Sequence, residues 1–310
     1  MKIHTIFLFL IVLSISSYQT FALPPKPLGQ AVMSISNPDV HANPPGPANT
    51  WKLLFSDEFN GTTLDTNKWT TCYWWDKNGC TILTNNELEW YQPKNVKEKN
   101  GVLILTAMKE NVIGWDGKVF PYTSGMVSSG RNTSDKVFPV RFSFKYGYTE
   151  IRAIVPKGKG FWPAFWMLPI TQSSKPEIDV MEILGSNTYR TVMNYHFLDS
   201  SNKRIDIGDE WISPLDFSKG WHIFGLDWEP DKLIWYVDGI ERFRITKTSS
   251  IPIPAENMYL IMNLAVGGGT QGKPDETAHF PNSYQIDYVR VYQHFNKSQW
   301  QCFQYFEPCQ

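Results

Sequence analysis

The sequence predicts an all-β fold, a sandwich of two antiparallel sheets whose inner sheet curves to leave a groove on its concave face. Several segments alternate apolar and polar residues with the period of a β-strand. Turn signals rich in Gly, Pro, Asn and Asp separate these segments. After the apolar N-terminal run, the sequence shows no long helical period, no internal repeat and no alternation of strands with helices.

The composition is that of an ordinary globular protein, and it excludes some partners. The 310 residues are 42% hydrophobic and 19% charged, with a formal net charge of −1. Without a long run of Lys and Arg, the chain lacks the basic surface that nucleic-acid binding needs. Aromatic residues make up 15% of the chain, including 13 Trp. They fit either a large β core or a cleft in which indole rings stack on sugars.

The first 50 residues are predicted to lie outside the folded domain. Residues 1–22 combine a basic start, the apolar run "TIFLFLIVLSISS" and small residues near Ala22, which is the pattern of a signal peptide. A membrane anchor is the alternative, but a spanning helix needs about 20 apolar residues. Residues 23–50 form a Pro-rich, extended linker. We therefore expect a secreted, extracellular monomer with no membrane segment after cleavage.

Four cysteines agree with export, where disulfides persist. Cys72 and Cys80 bracket a short loop, and Cys302 and Cys309 bracket another in the C-terminal tail, residues 294–310. Pairing between neighbours is the simplest of three possible connectivities. A zinc site is the alternative, but the chain has no C-x-x-C and no pair of His at ligand spacing.

The strands follow one another from Trp51, where the folded domain is predicted to begin, to residue 293. The segment "YTEIRAIV" alternates along residues 148–155. The segment "LIWYVDGIERFRI" is a hairpin that turns at Asp238-Gly239. The segment "QIDYVRVYQ" is predicted to be the closing strand.

An aromatic strand comes before the most unusual segment of the chain. In "GFWPAFWMLP", residues 160–169, alternation places Trp162 and Trp166 on one face and Phe161 and Phe165 on the other. Pro163 cannot donate a ladder bond, so we expect the strand to be bent or unpaired there. Core packing is one interpretation of the two indoles. A cleft wall is favoured because an acidic strand follows, and sequential strands usually lie side by side.

The acidic strand "EIDVME" places Glu177, Asp179 and Glu182 within six residues. On a helix, the first two would point about 200° apart. On a regular strand they share a face, but Glu182 lies on the other one. One extra residue, a β-bulge at residues 180–181, would bring all three acids to one face. Crowding like charges is costly unless a site uses them.

Two carboxylates flanking a bond are the machinery of glycoside hydrolysis. After the bulge, Glu177 and Glu182 lie about 13 Å apart at Cα, and side chains leaning together would bring their carboxyls to about 5 Å. That separation suits a retaining enzyme, whereas an inverting pair needs about 6.5–9.5 Å. Calcium binding and a solvated sheet edge are the alternatives. The apolar residues on the opposite face argue against the edge.

At this point the residues resemble a known family. The segment "EIDVME" is similar to the signature of glycoside hydrolase family 16, in the bulged form of laminarinase-like endo-β-1,3-glucanases. Further similar blocks occur in the expected order; they are "LLFSDEFNGTTLDTNKW", "TNNELEWYQPKNV", "YTSG", "YGYTEIRAIVPKGKGFWPAFWMLP", "WHIFGLDWEPDKLIWYVDG" and "NLAVGG". The resemblance implies a β-jelly-roll sandwich over residues 51–293 and a retaining endo-glycosidase acting on a β-glucan. It implies Glu177 as nucleophile, Asp179 as its assistant and Glu182 as general acid/base.

The resemblance also implies a binding cleft and, in some members, a calcium site. The cleft positions are Asn86, Trp162, Trp166 and His196; from the residues alone, His196 fits a hydrogen-bonded core histidine equally well. The calcium positions are Glu58, Gly101 and Asp287, on the convex side. Such an ion would be structural, and the chemistry requires no cofactor.

Two departures from the family pattern leave the substrate open. The loop after "NLAVGG" has no aromatic residue, and Met126 stands where arginine is common. The leading hypothesis is a secreted endo-glucanase for β-1,3- or mixed β-1,3/1,4-glucan. Another galactan- or glucan-directed hydrolase or transglycosylase on the same scaffold is the second. A glucan-binding protein without catalysis is the third, although such proteins usually lose one of the acids and this chain keeps all of them.

Overall fold

Strands are the main regular structure in the described part of the chain. A computed structural model describes residues 44–47, 50–75, 80–115, 117–269 and 271–294, and in these ranges it has eighteen strands and two single-turn 3-10 helices. The helices are Leu83–Asn85 and Pro93–Asn95, and neither has the length or the apolar character of a bilayer span. The strands are β1 (Trp51–Asp57), β2 (Glu89–Tyr91), β3 (Val96–Lys99), β4 (Val102–Ala107), β5 (Val112–Ile113), β6 (Val119–Phe120), β7 (Tyr122–Ser124), β8 (Met126–Ser128), β9 (Gly147–Ile154), β10 (Phe161–Pro169), β11 (Glu177–Glu182), β12 (Arg190–Leu198), β13 (Arg204–Ile212), β14 (His222–Glu229), β15 (Lys232–Val237), β16 (Ile240–Thr246), β17 (Met258–Val266) and β18 (Asn282–His294).

Two large antiparallel sheets confirm the predicted fold class. Among the described residues, the larger sheet has eight strands in the order β16-β15-β14-β9-β18-β4-β3, with β1 also paired to β18. The smaller sheet has six strands in the order β13-β12-β11-β10-β17-β8. The apolar core lies between them and draws on both sheets. Burying one large apolar side chain contributes about 1.5–3 kcal/mol, so this core is the main source of stability.

The segments predicted as strands are strands. The alternating segment forms β9, and the closing segment forms β18. The predicted hairpin is β15–β16, where Asp238 and Gly239 have φ of 51° and 74°. Asp and Gly tolerate this left-handed conformation, which a two-residue hairpin turn requires.

The strand β10 is continuous through Pro163 and paired there, so the expectation of an unpaired residue is wrong. Pro163 pairs with Leu264 of β17, and its carbonyl accepts a hydrogen bond from Ile183 N–H at 3.2 Å. In an antiparallel strand, the N–H and the carbonyl of one residue point to the same side. The side on which Pro163 lacks an N–H therefore faces the residue that follows the end of β11. A proline at that place removes no bond to β17, and on the other side its carbonyl still accepts from Ile183.

The predicted disulfide between Cys72 and Cys80 is present, with the Cα atoms 4.8 Å apart. It closes the loop that carries Trp74 and Trp75. The predicted signal peptide, most of the predicted linker and the second cysteine pair lie outside the described residues.

Candidate active site

The predicted bulge lies in β11 and gathers the three acids. Asp179 pairs with Trp166 of β10 and Glu182 with Ala164, so two steps on β10 match three on β11. The register of β11 against β12 shifts in the same place. Trp235 of the other sheet donates its indole N–H to the Asp179 carbonyl at 2.9 Å, which ties the bulge to the core. All three carboxylates consequently face the concave side.

A cavity of about 760 Å³ covers this face. Its floor is formed by side chains of β10, β11, β12, β13 and β17, including all three acids. One wall is formed by the segment that contains the disulfide loop, and its lining residues are Trp74, Trp75, Ile82, Thr84, Asn85 and Glu87.

Glu177, the predicted nucleophile, is held by a neighbouring cation. Its Oε2 forms an ion pair with the Lys175 ammonium group. Burial and the adjacent Asp179 raise the pKa of Glu177, while Lys175 and His196 lower it. The cation thus offsets part of the cost of keeping a carboxylate ionised in a buried site.

Asp179 begins a chain of charged groups across three strands. Its Oδ2 lies 2.9 Å from His196 Nε2, and His196 Nδ1 lies 2.5 Å from Asp206 Oδ1. Burial lowers the pKa of His196, but the hydrogen bond and charge of Asp179, with Glu177 and Asp206, outweigh it and raise the pKa to about 9. His196 is therefore an imidazolium at neutral pH and donates to both aspartates. It lines the cavity as predicted, and it also fills the role of a hydrogen-bonded core histidine.

Glu182, the predicted acid/base, has the environment of a proton donor. Trp162 Nε1 donates to its Oε1 at 3.1 Å and Asn194 Nδ2 to its Oε2 at 2.9 Å. Burial first, and then the charges of Asp179 and Glu177, raise the pKa of Glu182 to about 8 against the opposing effect of Asn194. A carboxyl in this range keeps its proton at neutral pH and can release it during reaction.

The two tryptophans of β10 differ from each other. Trp162 is half-buried and faces the cavity beside Glu182. Trp166 is only 7% exposed, with its ring centroid 5.9 Å from that of Tyr73 and its indole N–H donating to Asn263 Oδ1 at 2.8 Å. Trp166 is therefore a core residue at one edge and a cavity residue at the other.

Asn86 has a different position from the other predicted cleft residues. It is exposed, in the left-handed conformation with φ of 58° at the end of the short helix Leu83–Asn85. Its neighbours Asn85 and Glu87 line the cavity instead. The left-handed turn reverses the chain here and presents these neighbours to the groove.

Of the residues predicted to bind calcium, Asp287 lies in β18, Glu58 follows β1 and Gly101 lies between β3 and β4, and each carboxylate faces a guanidinium group. Glu58 receives two hydrogen bonds from Arg290, at 2.9 and 2.8 Å, and Asp287 Oδ2 lies 2.7 Å from Arg152. Gly101 has a positive φ of 75°. A calcium ion binds oxygens in an anionic cage, and nearby arginines disfavour it. This arrangement does not fit the ion, so calcium stays a prediction from resemblance.

Several site residues were not found by sequence reasoning. Lys175, Asn194 and Asp206 contact the acids or His196, and Asn263 and Glu87 line the cavity. Lys175 had a local signal, because it comes two residues before Glu177 and a lysine there would point to the same face. The others come from strands and loops whose pairing only the fold reveals.

The fold and the site define a class of protein, a concave β-sandwich that carries acid residues in a glycan-sized groove. The family model of glycosyl hydrolases family 16 matches residues 84–290. The chain belongs to this family.

Two named relatives and one solved structure are similar to this chain over more than three quarters of its length. A glucan endo-1,3-beta-glucosidase A1 of Niallia circulans is 36% identical, over 77% of this chain and 37% of that protein. The endo-1,3-1,4-beta-glycanase ExsH of Rhizobium meliloti is 32% identical, over 77% of this chain and 51% of that protein. The chain thus spans about half or less of the length of these two relatives. The catalytic domain of an endo-1,3-beta-glucanase (laminarinase) from Thermotoga petrophila has 35% identity and a TM-score of 0.69, over 79% of this chain and 99% of that one.

Proposed function

We propose that the chain is a retaining endo-glycosidase that hydrolyses internal bonds of a β-1,3- or mixed β-1,3/1,4-glucan by double displacement. The observation that carries the proposal is the contrast between Glu177 and Glu182 on one strand. Burial and like charges raise the pKa of both carboxyls, but Glu177 is paired with a cation that offsets part of the rise, whereas the pKa of Glu182 reaches about 8. Environments that push the pKa values of two carboxyls apart assign one as nucleophile and the other as acid.

In the first step, the Glu177 carboxylate attacks the anomeric carbon from the face opposite the leaving group. The bond to the glycosidic oxygen breaks, and Glu182 gives its proton to that oxygen. The product is a glycosyl ester on Glu177 and a released chain end. As the charge of Glu177 disappears into the ester, the like-charge repulsion that raised the pKa of Glu182 decreases, so Glu182 stays ionised and is available as the general base for the next step.

In the second step, Glu182 removes a proton from water, and the water oxygen attacks the anomeric carbon. The ester bond breaks, Glu177 leaves as a carboxylate, and the sugar regains its original configuration. The protonated His196 supports both steps, because it stabilises Asp179 and the charge that returns to Glu177. Trp162 and Asn194 hold the Glu182 carboxyl in place throughout.

Azide rescue tests the roles of both acids. We expect Glu177→Ala to abolish hydrolysis, and azide to restore cleavage of an activated aryl glycoside because it fits the vacated space. Since azide enters from the face opposite the leaving group, the glycosyl azide has inverted configuration. With Glu182→Ala, azide attacks the ester on Glu177 and gives the retained azide. Proton NMR of the two products distinguishes them.

A matched control is Glu241→Ala on the outer sheet, where the carboxylate pairs with Arg244. This variant should hydrolyse normally and form no azide product. Proton NMR of the first sugar released by the unmodified enzyme must also show the retained anomer. An inverted anomer would remove the nucleophile role from Glu177 and the proposal with it.

The substrate is proposed from the names of the relatives together with the shape of the cavity, and product analysis decides it. Laminarin, lichenan, agarose, carrageenan and xyloglucan should be compared. We expect oligosaccharides of mixed length from laminarin or lichenan, since an enzyme that cuts internal bonds releases such products. Products longer than the substrate would reveal transglycosylation, and binding without products would favour a glucan-binding protein.

We also propose that the protein is exported as a monomer after removal of residues 1–22. The support is the signal-peptide pattern and the Cys72–Cys80 disulfide, which oxidising compartments preserve. N-terminal sequencing of protein recovered from the medium, together with light scattering on a sizing column, tests both statements. An intact N-terminus in the cell fraction would contradict export.

A further inference from the structure

A second pair of carboxyls lies beside the cavity, and the proposed chemistry does not use it. Glu87 forms part of the cavity wall and is 5% exposed, and Glu89 at the start of β2 is 0% exposed. Their carboxyl groups lie within hydrogen-bonding reach of each other. Two carboxylates in contact at such burial repel strongly, so the pair needs a proton or a cation.

The hydrogen-bond partners show where a proton belongs. Glu87 Oε1 accepts from Asn85 Nδ2 at 2.9 Å, and Glu89 Oε2 accepts from Val266 N–H at 2.7 Å. The other two oxygens, Glu87 Oε2 and Glu89 Oε1, are buried, and no donor among the described residues satisfies them. One proton between these two oxygens satisfies both. Neither carboxyl forms an ion pair with a described lysine, arginine or histidine.

The surroundings favour Glu87 as the residue that holds the proton. Burial first, and then the charge of Glu89, raise the pKa of Glu87 well above its ordinary value. Burial also raises the pKa of Glu89, but hydrogen bonds from Glu87, from backbone N–H groups and from Tyr91 oppose that effect. The titratable groups that face the pair are Tyr73 and Tyr91, whose own pKa values burial raises, so both are neutral.

The pair connects two parts of the cleft. On one side, Glu87 forms an isolated antiparallel β-bridge with Gly267. The next residue, Gly268, lies between Glu87 and Trp162, since a Cβ added there would be 3.2 Å from Glu87 Cγ and 3.4 Å from the Trp162 ring. Trp162 in turn donates to Glu182. On the other side, Tyr91 lies against Glu89 and accepts from Asn263, which accepts from Trp166 on the cavity floor.

We propose that Glu87 and Glu89 share one proton, carried on Glu87 Oε2 and donated to Glu89 Oε1, and that this bond positions the cleft wall against Trp162. Glu87 and Glu89 are thus positioning residues for the proposed hydrolysis, on which this second part of the inference rests. The proton itself is a property of the folded chain and needs no substrate.

Glutamine provides the sharpest test, because its amide group replaces the shared proton. In Glu87→Gln, the amide N–H can donate to Glu89 Oε1 while the amide oxygen still accepts from Asn85. A carboxyl that keeps its proton to higher pH in the folded state than in the unfolded chain makes stability fall as pH rises between the two pKa values. We therefore expect the melting temperature of the unmodified protein to fall more steeply from about pH 5 to about pH 9 than that of Glu87→Gln.

Three further variants serve as controls. Glu182→Gln shows how much of the decrease in melting temperature with pH belongs to the other protonated carboxyl. Glu110→Gln should leave that decrease unchanged, because Lys94 lowers the pKa of Glu110. In the double variant Glu87→Gln/Glu89→Gln, amide oxygens that still accept from Asn85 and Val266 leave two NH2 groups facing each other with no carboxylate to accept from them. This variant should therefore melt well below either single variant at every pH. Equal slopes for Glu87→Gln and the unmodified protein, or a double variant no less stable than the singles, would overturn the shared proton.

Kinetics test the positioning role separately. We expect Glu87→Ala to raise KM for a long glucan several-fold with a smaller change in kcat, and Glu87→Gln to restore KM. A lower melting temperature with unchanged KM in Glu87→Ala would limit the pair to a folding role. If the unmodified protein hydrolyses no glucan, the proposed function fails, whereas the stability measurements still decide the proton.

Discussion

The contact between Lys175 and Glu177 predicts how the enzyme should respond to acid. Replacing Lys175 with Met keeps the length of the side chain and removes the charge. The side chains of the pair are 12% and 22% exposed, so solvent screens the interaction little. A hydrogen bond between charged groups is worth about 1.5–3 kcal/mol, and one pKa unit corresponds to about 1.4 kcal/mol. Losing Lys175 should thus raise the pKa of Glu177, and an interaction of this size changes an equilibrium about 10- to 100-fold.

The sign of the effect follows from the role of Glu177. A nucleophile must be ionised, so a higher pKa moves the acid limb of the kcat/KM profile to higher pH. Below that limb, Lys175→Met should be about 10- to 100-fold slower than the unmodified enzyme, and the difference should shrink as the pH rises. The alkaline limb belongs to Glu182, which Lys175 does not contact, and should stay in place.

The assay is the release of reducing ends from a soluble glucan across the pH range, with kcat/KM taken from initial rates. Lys157→Met is the matched control, because Lys157 also pairs with a carboxylate, Asp216 Oδ2 at 2.9 Å, and is not among the cavity-lining residues. Its profile should match that of the unmodified enzyme. An unchanged acid limb in Lys175→Met, or an equal shift in both variants, would refute the assignment of Lys175 as the cation that keeps Glu177 ionised.

Three other predictions use the same protein. Trp162→Ala should raise KM for a long glucan with a modest loss of melting temperature. Trp166→Ala should cost about 3–5 kcal/mol of folding stability, because that indole is 7% exposed. Calorimetry and kinetics on both variants separate these outcomes. Asp179→Asn removes a charge that raises the pKa of Glu182, so the alkaline limb of the pH–rate profile should move to lower pH while glucan binding measured by calorimetry is kept. If the calcium prediction is right, the melting temperature should rise with added calcium and fall with a chelator, and Glu58→Gln should lose that response. Identical melting curves with calcium and with chelator would reject the calcium site.

Local patterns in the sequence were enough to predict the strands and the acid cluster. The alternation of side chains along the sequence predicted β9, β10 and β18, because the side chains of a strand have a period of two residues. The spacing of Glu177, Asp179 and Glu182 gave the bulge, since only one extra residue places all three on one face. Such arguments succeed where a short segment determines its own geometry.

The remainder of the site depends on contacts between distant segments. Glu87 reaches the cavity from a loop some 90 residues before Glu177, and Asn263 comes from β17 on the far side of β10. No period within one strand predicts such neighbours. Trp166 shows the same limit, because cleft and core were treated as alternatives and the side chain belongs to both.

The bulge in β11 also affects how sequences should be aligned. A regular strand would place acids on one face at spacings of two and four, whereas this chain needs two and five because one residue is looped out. Two relatives could therefore superpose all three carboxylates while their sequences differ in length by one residue inside the site. An alignment that forbids a gap there would match the proton donor of one protein to a core residue of the other. Deleting Val180 would be expected to remove the bulge and leave spacings of two and four, so that a regular strand keeps Glu182 on the same face as Glu177 and Asp179.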